Sequence, residues 1–110
     1  MESTTAVAAL AALAHEGRLA IYRLLVEAGP PGLTVGEVAD ALGMPGATLS
    51  FHLGQLKQAG LVLARRDGRQ LIQTADFGCM TALVGYLTEN CCRGQACAPA
   101  NPSTKKRKIK

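Results

Sequence analysis

The stretch that decides the fold is residues 34–62, TVGEVADALGMPGATLSFHLGQLKQAGLV. It opens with Thr34 and Glu37 at the spacing of a capping box, in which each side chain bonds the backbone N–H of the other residue. Such a box begins a helix, and we predict that this helix runs to Leu42. Gly43 is then suited to the left-handed conformation that ends many helices.

A second helix is predicted over residues 46–59, after a tight turn. Leu49, Leu53 and Leu56 recur at helical spacing and define its buried face, and Gly60 ends it. Two short helices joined by a tight turn are typical of a helix-turn-helix, whose second helix enters the major groove of DNA. The segment therefore predicts a DNA-binding element.

The flanking residues extend this element to a winged helix-turn-helix. Residues 61–64 and 70–74 are predicted to pair as a β-hairpin, because an Asp-Gly dipeptide at 67–68 is a strong turn signal. Upstream, the alanine-rich residues 4–14 and the periodic residues 15–28 favour helix. The expected fold class is mainly α with a β-hairpin wing (α+β).

A last helix is predicted from Asp76, which is a good N-cap, to Cys91. Its apolar side chains alternate spacings of three and four, a heptad-like stripe suited to pairing with another helix: Phe77, Met80, Val84, Leu87 and Cys91. We divide the chain into one domain, residues 1–97, and a basic tail, residues 98–110. The tail is rich in Pro, Ser and Lys and is predicted to be disordered.

The net charge of +4 is unevenly distributed along the chain. Residues 1–45 carry five acidic and two basic side chains, whereas residues 46–70 carry four basic side chains and one acidic one. The excess of base therefore falls on the predicted recognition helix and wing, as expected for a protein that binds a polyanion such as DNA. No apolar run reaches the roughly 18 residues of a membrane-spanning helix, and we expect a cytoplasmic protein.

The candidate DNA-contacting residues lie opposite the buried leucines and on the wing. Small and hydroxyl side chains on the outer face can approach base edges or phosphates, and Phe51 can contact a thymine methyl group. His52 lies nearer the buried edge of the helix. The sequence leaves two roles for it, a structural hydrogen bond or a DNA contact. Three arginines are expected at the hairpin tip, where a wing meets phosphates or the minor groove. The full set is Ala47, Thr48, Ser50, Phe51, His52, Arg65, Arg66 and Arg69.

Residues 50–62, SFHLGQLKQAGLV, resemble the S-x-H-L-x-x-L-x-x-A-G-L-V signature of the ArsR/SmtB family of metalloregulatory repressors. Gly68-Arg69 fits the wing of that family and residues 18–21 fit its early helix, so the resemblance covers roughly residues 8–90. It implies a homodimer paired through the first and last helices. It also implies a palindromic operator bound by two symmetric recognition helices.

Three of the four cysteines, Cys91, Cys92 and Cys97, lie at the end of the last predicted helix, and no histidine is near them. Adjacent residues have Cα atoms about 3.8 Å apart, closer than the roughly 4.4 Å that a disulfide needs, so we expect thiols. Gly94 allows the chain to turn back and bring Cys97 beside the pair. The fourth cysteine, Cys79, is expected to pack against the core.

Three converging thiolates suit arsenite, with antimonite as a second candidate, better than zinc, which prefers four ligands. Cysteine groupings at this end of the chain also resemble those of some arsenic-responsive family members. That resemblance implies that Cys91, Cys92 and Cys97 are the ligands and that arsenite is the inducer that releases the repressor from DNA. No organic cofactor is expected.

Other functions stay open at this point. The same fold can sense a methylated trivalent arsenical through two thiols, a thiophilic divalent metal, or an oxidant. A winged-helix module that binds protein instead of DNA is an alternative of another class. An enzyme is not expected, because the sequence offers neither paired carboxylates nor a Ser-His-Asp set.

Overall fold

The computed structural model describes residues 1–94, so Cys97 and the predicted tail 98–110 lie outside the described residues. The described part is mainly helical with one antiparallel three-stranded sheet, whose middle strand is the last of the three in the chain. This arrangement is a winged helix-turn-helix and confirms the predicted fold class. In chain order the elements are α1 (Ser3–Leu13), α2 (Glu16–Ala28), β1 (Leu33–Thr34), α3 (Val35–Leu42), α4 (Gly46–Gln58), β2 (Val62–Asp67), β3 (Gln70–Ala75) and α5 (Phe77–Thr88).

The core is built from aliphatic side chains of the central helices. Leu49, Leu53 and Leu56 of α4 are all buried, as their spacing predicts, and they pack in one cluster with Ile21 and Leu25 of α2. Burying each such side chain stabilises the fold by about 1.5–3 kcal/mol. This packing fixes which face of α4 points inward, and therefore which face remains for DNA.

The start of α3 is a complete capping box. The Glu37 amide donates to Thr34 Oγ1 at 3.1 Å, and the Thr34 amide donates to Glu37 Oε1 at 2.8 Å. Gly43 ends the helix in the left-handed region, with φ of 63°. Both predicted ends of this helix are confirmed.

The upstream helical region is two helices that meet at His15. The His15 side chain caps α2, because its Nδ1 accepts a hydrogen bond of 3.0 Å from the Gly17 amide. Buried alanines hold α1 against the core, namely Ala6, Ala9 and Ala12. Within residues 1–94, no helix is both long enough and apolar enough to span a membrane.

The predicted hairpin is confirmed, and a third strand joins it. The two residues of β1 pair with β3, with Leu33 opposite Gln73. The chain approaches this edge through Gly32, whose φ is 70°. A Cβ at that position would lie 2.5 Å from the Gln73 carbonyl oxygen, so only glycine fits without a shift of the backbone.

The last helix is shorter than predicted. Asp76 is its N-cap, as expected, and accepts a hydrogen bond from the Cys79 amide at 3.0 Å. The helix ends at Thr88 and not at Cys91, because Asn90 adopts a left-handed φ of 59°. The heptad-like spacing that included Cys91 therefore extended the helix too far, and Cys91 belongs to the turn that follows.

Candidate DNA interface and cysteine site

The outer face of α4 carries four of the predicted contact residues. Ala47, Thr48, Ser50 and Phe51 are all exposed, and Phe51 as a whole residue is 58% exposed. A phenyl group this open to water on a recognition helix is available to pack against a thymine methyl or a sugar. The first turns of α4 therefore present small, hydroxyl and apolar groups to an incoming groove.

The N-terminus of α4 is open to an anion. Its N-cap is Pro45, which makes no side-chain capping bond. The first N–H groups of a helix have no partner within the helix and carry the positive end of its dipole. A DNA phosphate at this end would accept hydrogen bonds from those groups.

His52 faces the protein and not the outer surface. It is only 8% exposed, and its Nδ1 accepts a hydrogen bond of 3.2 Å from Arg18 Nε. Its ring centroid also lies 4.6 Å from that of His15. The structure thus gives His52 the structural hydrogen bond that the sequence left open, while a contact between His52 and DNA stays a prediction.

The ionisation of His52 follows from this environment. Burial lowers the pKa of the imidazole below its usual range, and the neighbouring His15 and Arg18 lower that pKa further. A neutral imidazole is the form whose Nδ1 can accept from Arg18. The buried contact between α2 and α4 therefore depends on an uncharged His52.

The wing arginines divide into two kinds. Arg65 lies within β2 opposite Ile72, and its guanidinium donates to the carbonyl oxygens of Pro30 at 3.3 Å and Pro31 at 3.2 Å. This corrects its predicted place at the hairpin tip, because its side chain is docked on the loop before β1. Arg66 and Arg69 are exposed beside the tight turn at Gly68, where a wing meets the DNA backbone.

The cysteine pair lies in a left-handed turn, Cys91–Gly94, directly after α5. The residues at 90, 92 and 93 have φ of 59°, 55° and 57°, a conformation that costs roughly 1–2 kcal/mol for each residue other than glycine. Both cysteines are exposed, and their Sγ atoms are 3.5 Å apart. That distance is far longer than the about 2.05 Å of a disulfide, so no disulfide bond joins these two sulfurs.

The third predicted ligand, Cys97, lies outside the described residues. Within residues 1–94, no group of three or more His, Cys, Asp or Glu side chains is placed to hold a metal ion. The structure therefore brings two of the three predicted ligands together, and the prediction for the third stays a prediction from the sequence.

Cys79 belongs to a different environment. It lies in the first turn of α5, is partly buried and packs against the core. Burial raises the pKa of its thiol, and the nearby Asp76 carboxylate raises that pKa further. Cys79 is therefore a neutral thiol near pH 7 and a poor ligand for a soft ion.

Comparison with known proteins identifies the family. The family of the helix-turn-helix domain matches residues 13–65. The uncharacterised HTH-type transcriptional regulator YceK of Bacillus subtilis is 36% identical over 69% of this chain and 76% of its own length. A Halobacterium salinarum protein, provisionally named as the arsenical resistance operon repressor ArsR, is 43% identical over 57% of this chain and 48% of its own length.

A solved structure shares the architecture. It is a homodimeric winged helix-turn-helix DNA-binding domain from Mycobacterium bovis, described as a possible ArsR-family transcriptional regulator. It is 33% identical, covers 79% of this chain and 81% of its own, and superimposes with a TM-score of 0.62. The exposed recognition helix, the wing and these relatives together show that the chain belongs to the ArsR-type winged helix-turn-helix transcriptional regulators, which bind DNA.

Proposed function

We propose that this regulator is a homodimeric repressor that leaves its operator when arsenite binds Cys91, Cys92 and Cys97. The observation that carries the proposal is the exposed pair of adjacent cysteines, whose Sγ atoms lie 3.5 Å apart immediately after α5. The Halobacterium relative adds support, since its name assigns it to an arsenical resistance operon.

The spacing of the two sulfurs suits a shared soft ion. An ion about 2.3 Å from each sulfur, the distance that zinc takes from thiolates, spans sulfurs up to about 4.6 Å apart. The observed separation of 3.5 Å falls within that limit. Arsenite, As(OH)₃, exchanges its three hydroxyl groups for three thiols and releases three molecules of water, so a third sulfur from Cys97 completes the site.

Dimerisation would use the apolar surface that the single chain leaves exposed on its first and last helices. Val7 and Leu10 of α1 are 61% and 42% exposed, and Val84 and Leu87 of α5 are 56% and 58% exposed. Exposed apolar side chains of this kind, grouped on the elements that flank a DNA-binding domain, are buried when a second copy pairs with them. The cysteine turn begins three residues beyond the end of α5.

The repressor would leave its operator if arsenite binds most tightly to a dimer geometry that does not fit the operator. Binding at the turn would reorganise the end of α5, and hence the angle between protomers and the spacing of the two recognition helices. Reciprocal coupling of this kind is typically worth about 1–3 kcal/mol, or roughly 5- to 150-fold in operator affinity. Arsenite must then bind the DNA-free dimer more tightly by the same factor.

The experiment compares cysteine-to-serine variants at different positions in the chain. Cys91→Ser with Cys92→Ser is expected to bind operator DNA normally and to ignore arsenite, whereas the matched control Cys79→Ser is expected to respond like the original protein. Cys97→Ser on its own separates a three-thiol site, which it abolishes, from a two-thiol site for a methylated arsenical, which it leaves intact. Normal release from the double variant would place the sensor elsewhere.

A further inference from the structure

A polar cluster joins the N-terminal turn of α2 to the recognition helix. Arg18 donates from Nε to His52 Nδ1 at 3.2 Å, and its guanidinium carbon lies 5.9 Å from the centroid of the Phe51 ring. His15, which caps α2, has its ring 4.6 Å from that of His52. One arginine therefore contacts two consecutive residues of α4, of which one faces the core and the other faces outward.

We propose that Arg18 is a positioning residue for DNA binding, which holds the recognition helix in its DNA-contacting orientation through His52 and Phe51. The proposal depends on DNA binding, which belongs to the family, and not on arsenite or the cysteines. Measurements made without arsenite therefore test it independently of the proposed signal.

Arg18 can fix the orientation of α4 because a polar contact is directional, whereas apolar packing is not. Leu49, Leu53 and Leu56 attract α4 to the core, but the hydrophobic effect is non-directional and tolerates small rotations about the helix axis. A hydrogen bond weakens steeply when its angle departs from linearity, so the bond from Arg18 opposes such rotations. His52 sits in the same turn as Ser50 and Phe51, and this turn is where a rotation would displace the contacting side chains.

The contact with Phe51 also helps to hold the DNA-contacting side chains in place. A guanidinium within about 6 Å of a ring centroid is attracted to the face of the ring. Phe51 is 58% exposed, so it has little packing of its own to fix its rotamer. Arg18 thus restrains both the helix and the one large apolar side chain that the helix offers to DNA.

The cluster also makes operator binding sensitive to pH. The charged and titratable groups that face His52 are Arg18 from α2 and His15 from the junction before it. Protonation of His52 would place an N–H at Nδ1, opposite the Arg18 N–H, and a positive charge beside a guanidinium. Because the pKa of His52 is lowered in the folded protein, the contact is complete at and above the ordinary histidine pKa of about 6.5 and is lost only as pH falls through the lowered pKa.

The test separates the Nε–H donor of Arg18 from its charge. Arg18→Gln places an amide nitrogen where Nε was, so it retains the donor and loses the charge. Arg18→Lys has a carbon at that place, so it retains the charge and loses the donor. Arg23→Gln is the matched control for charge, since Arg23 lies on the same helix, is 72% exposed and pairs only loosely with Glu27 at 3.9 Å.

Operator affinity is measured by fluorescence anisotropy at pH 7.5. Arg18→Lys is expected to weaken binding on the order of tenfold, the effect of losing one partly buried hydrogen bond to a charged group. Arg18→Gln, which keeps the donor and loses only the cation beside the Phe51 ring, is expected to weaken binding by about two- to fivefold. Arg23→Gln is expected to bind like the original protein, with thermal unfolding confirming that every variant is folded. If Arg18→Lys binds normally and Arg18→Gln is the weak variant, the charge contacts DNA directly and the proposal is wrong.

A second measurement follows operator affinity from pH 7.5 to pH 5.5. The original protein is expected to keep its affinity down to about pH 6.5 and to lose it at lower pH, as the lowered pKa of His52 is approached. His52→Asn keeps an acceptor near the position of Nδ1 but cannot be protonated in this range, so it is expected to lose less affinity than the original protein between pH 7.5 and pH 5.5. If His52→Asn shows the same pH profile as the original protein, the proposal is wrong. If that variant does not fold, the comparison of Arg18→Lys with Arg18→Gln decides alone.

Discussion

The two kinds of wing arginine predict different responses to salt. Arg66 and Arg69 are exposed beside the turn of the wing, so each is expected to neutralise one DNA phosphate in each protomer. Each phosphate contact contributes about 0.9 to the slope of log affinity against log salt, so removing one arginine from a dimer lowers the slope by about 1.8. Between 50 and 200 mM salt, the original protein would lose roughly twelvefold more affinity than Arg66→Ala or Arg69→Ala.

Arg65→Ala is the internal control for this prediction. Its guanidinium is docked on the carbonyl oxygens of Pro30 and Pro31, so its removal is expected to leave the slope near that of the original protein. The cost in folding stability should stay below about 1 kcal/mol, because the contact is exposed to water. Fluorescence anisotropy over a salt series measures all three variants. A slope lowered by Arg65→Ala and unchanged by the other two would refute the assignment.

Three further predictions concern stability and thiol reactivity. Thr34→Ala removes the capping oxygen of α3 and should lower the free energy of unfolding by about 1 kcal/mol in urea titrations, while Thr34→Ser should restore most of it. Gly32→Ala forces a side chain into a left-handed backbone that faces a carbonyl oxygen at 2.5 Å, so a loss of more than about 1–2 kcal/mol is expected by the same method. Cys79, whose thiol pKa is raised, should react with iodoacetamide at pH 7.5 more slowly than Cys91 and Cys92, as followed by mass spectrometry; equal rates would contradict the burial of Cys79.

Most of the fold could be predicted because its signals are local. The capping box at Thr34, the leucine spacing of α4 and the Asp-Gly turn of the wing each lie within a few residues, and each is present in the structure. Strand β1 could not be predicted in the same way. It is two residues long and exists through pairing with β3, about forty residues later in the chain.

In the candidate site too, local features could be predicted from the sequence and contacts between distant residues could not. Helical spacing correctly predicts which face of α4 is exposed, but it does not reveal that His52 and Arg65 have partners inside the protein. Those partners, Arg18 and Pro31, lie 34 residues away in sequence from His52 and Arg65 respectively. Arg18 itself was visible only as part of the early-helix resemblance, and no local pattern marks its contact with α4.

The end of α5 was missed for a different reason. The apolar spacing continues to Cys91, but the backbone turns left-handed at Asn90. Periodicity describes where side chains would lie on a helix and carries no information about where the helix ends. The consequence is functional, because Cys91 and Cys92 lie in a turn and not on a helix face.

The most direct test of the central claim is a titration of the reduced, unmodified protein on its operator, followed by fluorescence anisotropy, with arsenite in one series and zinc in a parallel one. We expect micromolar arsenite to release the DNA and zinc to leave it bound. Operator binding that persists through the arsenite series would contradict arsenite sensing, and release by zinc alone would contradict the three-thiol site.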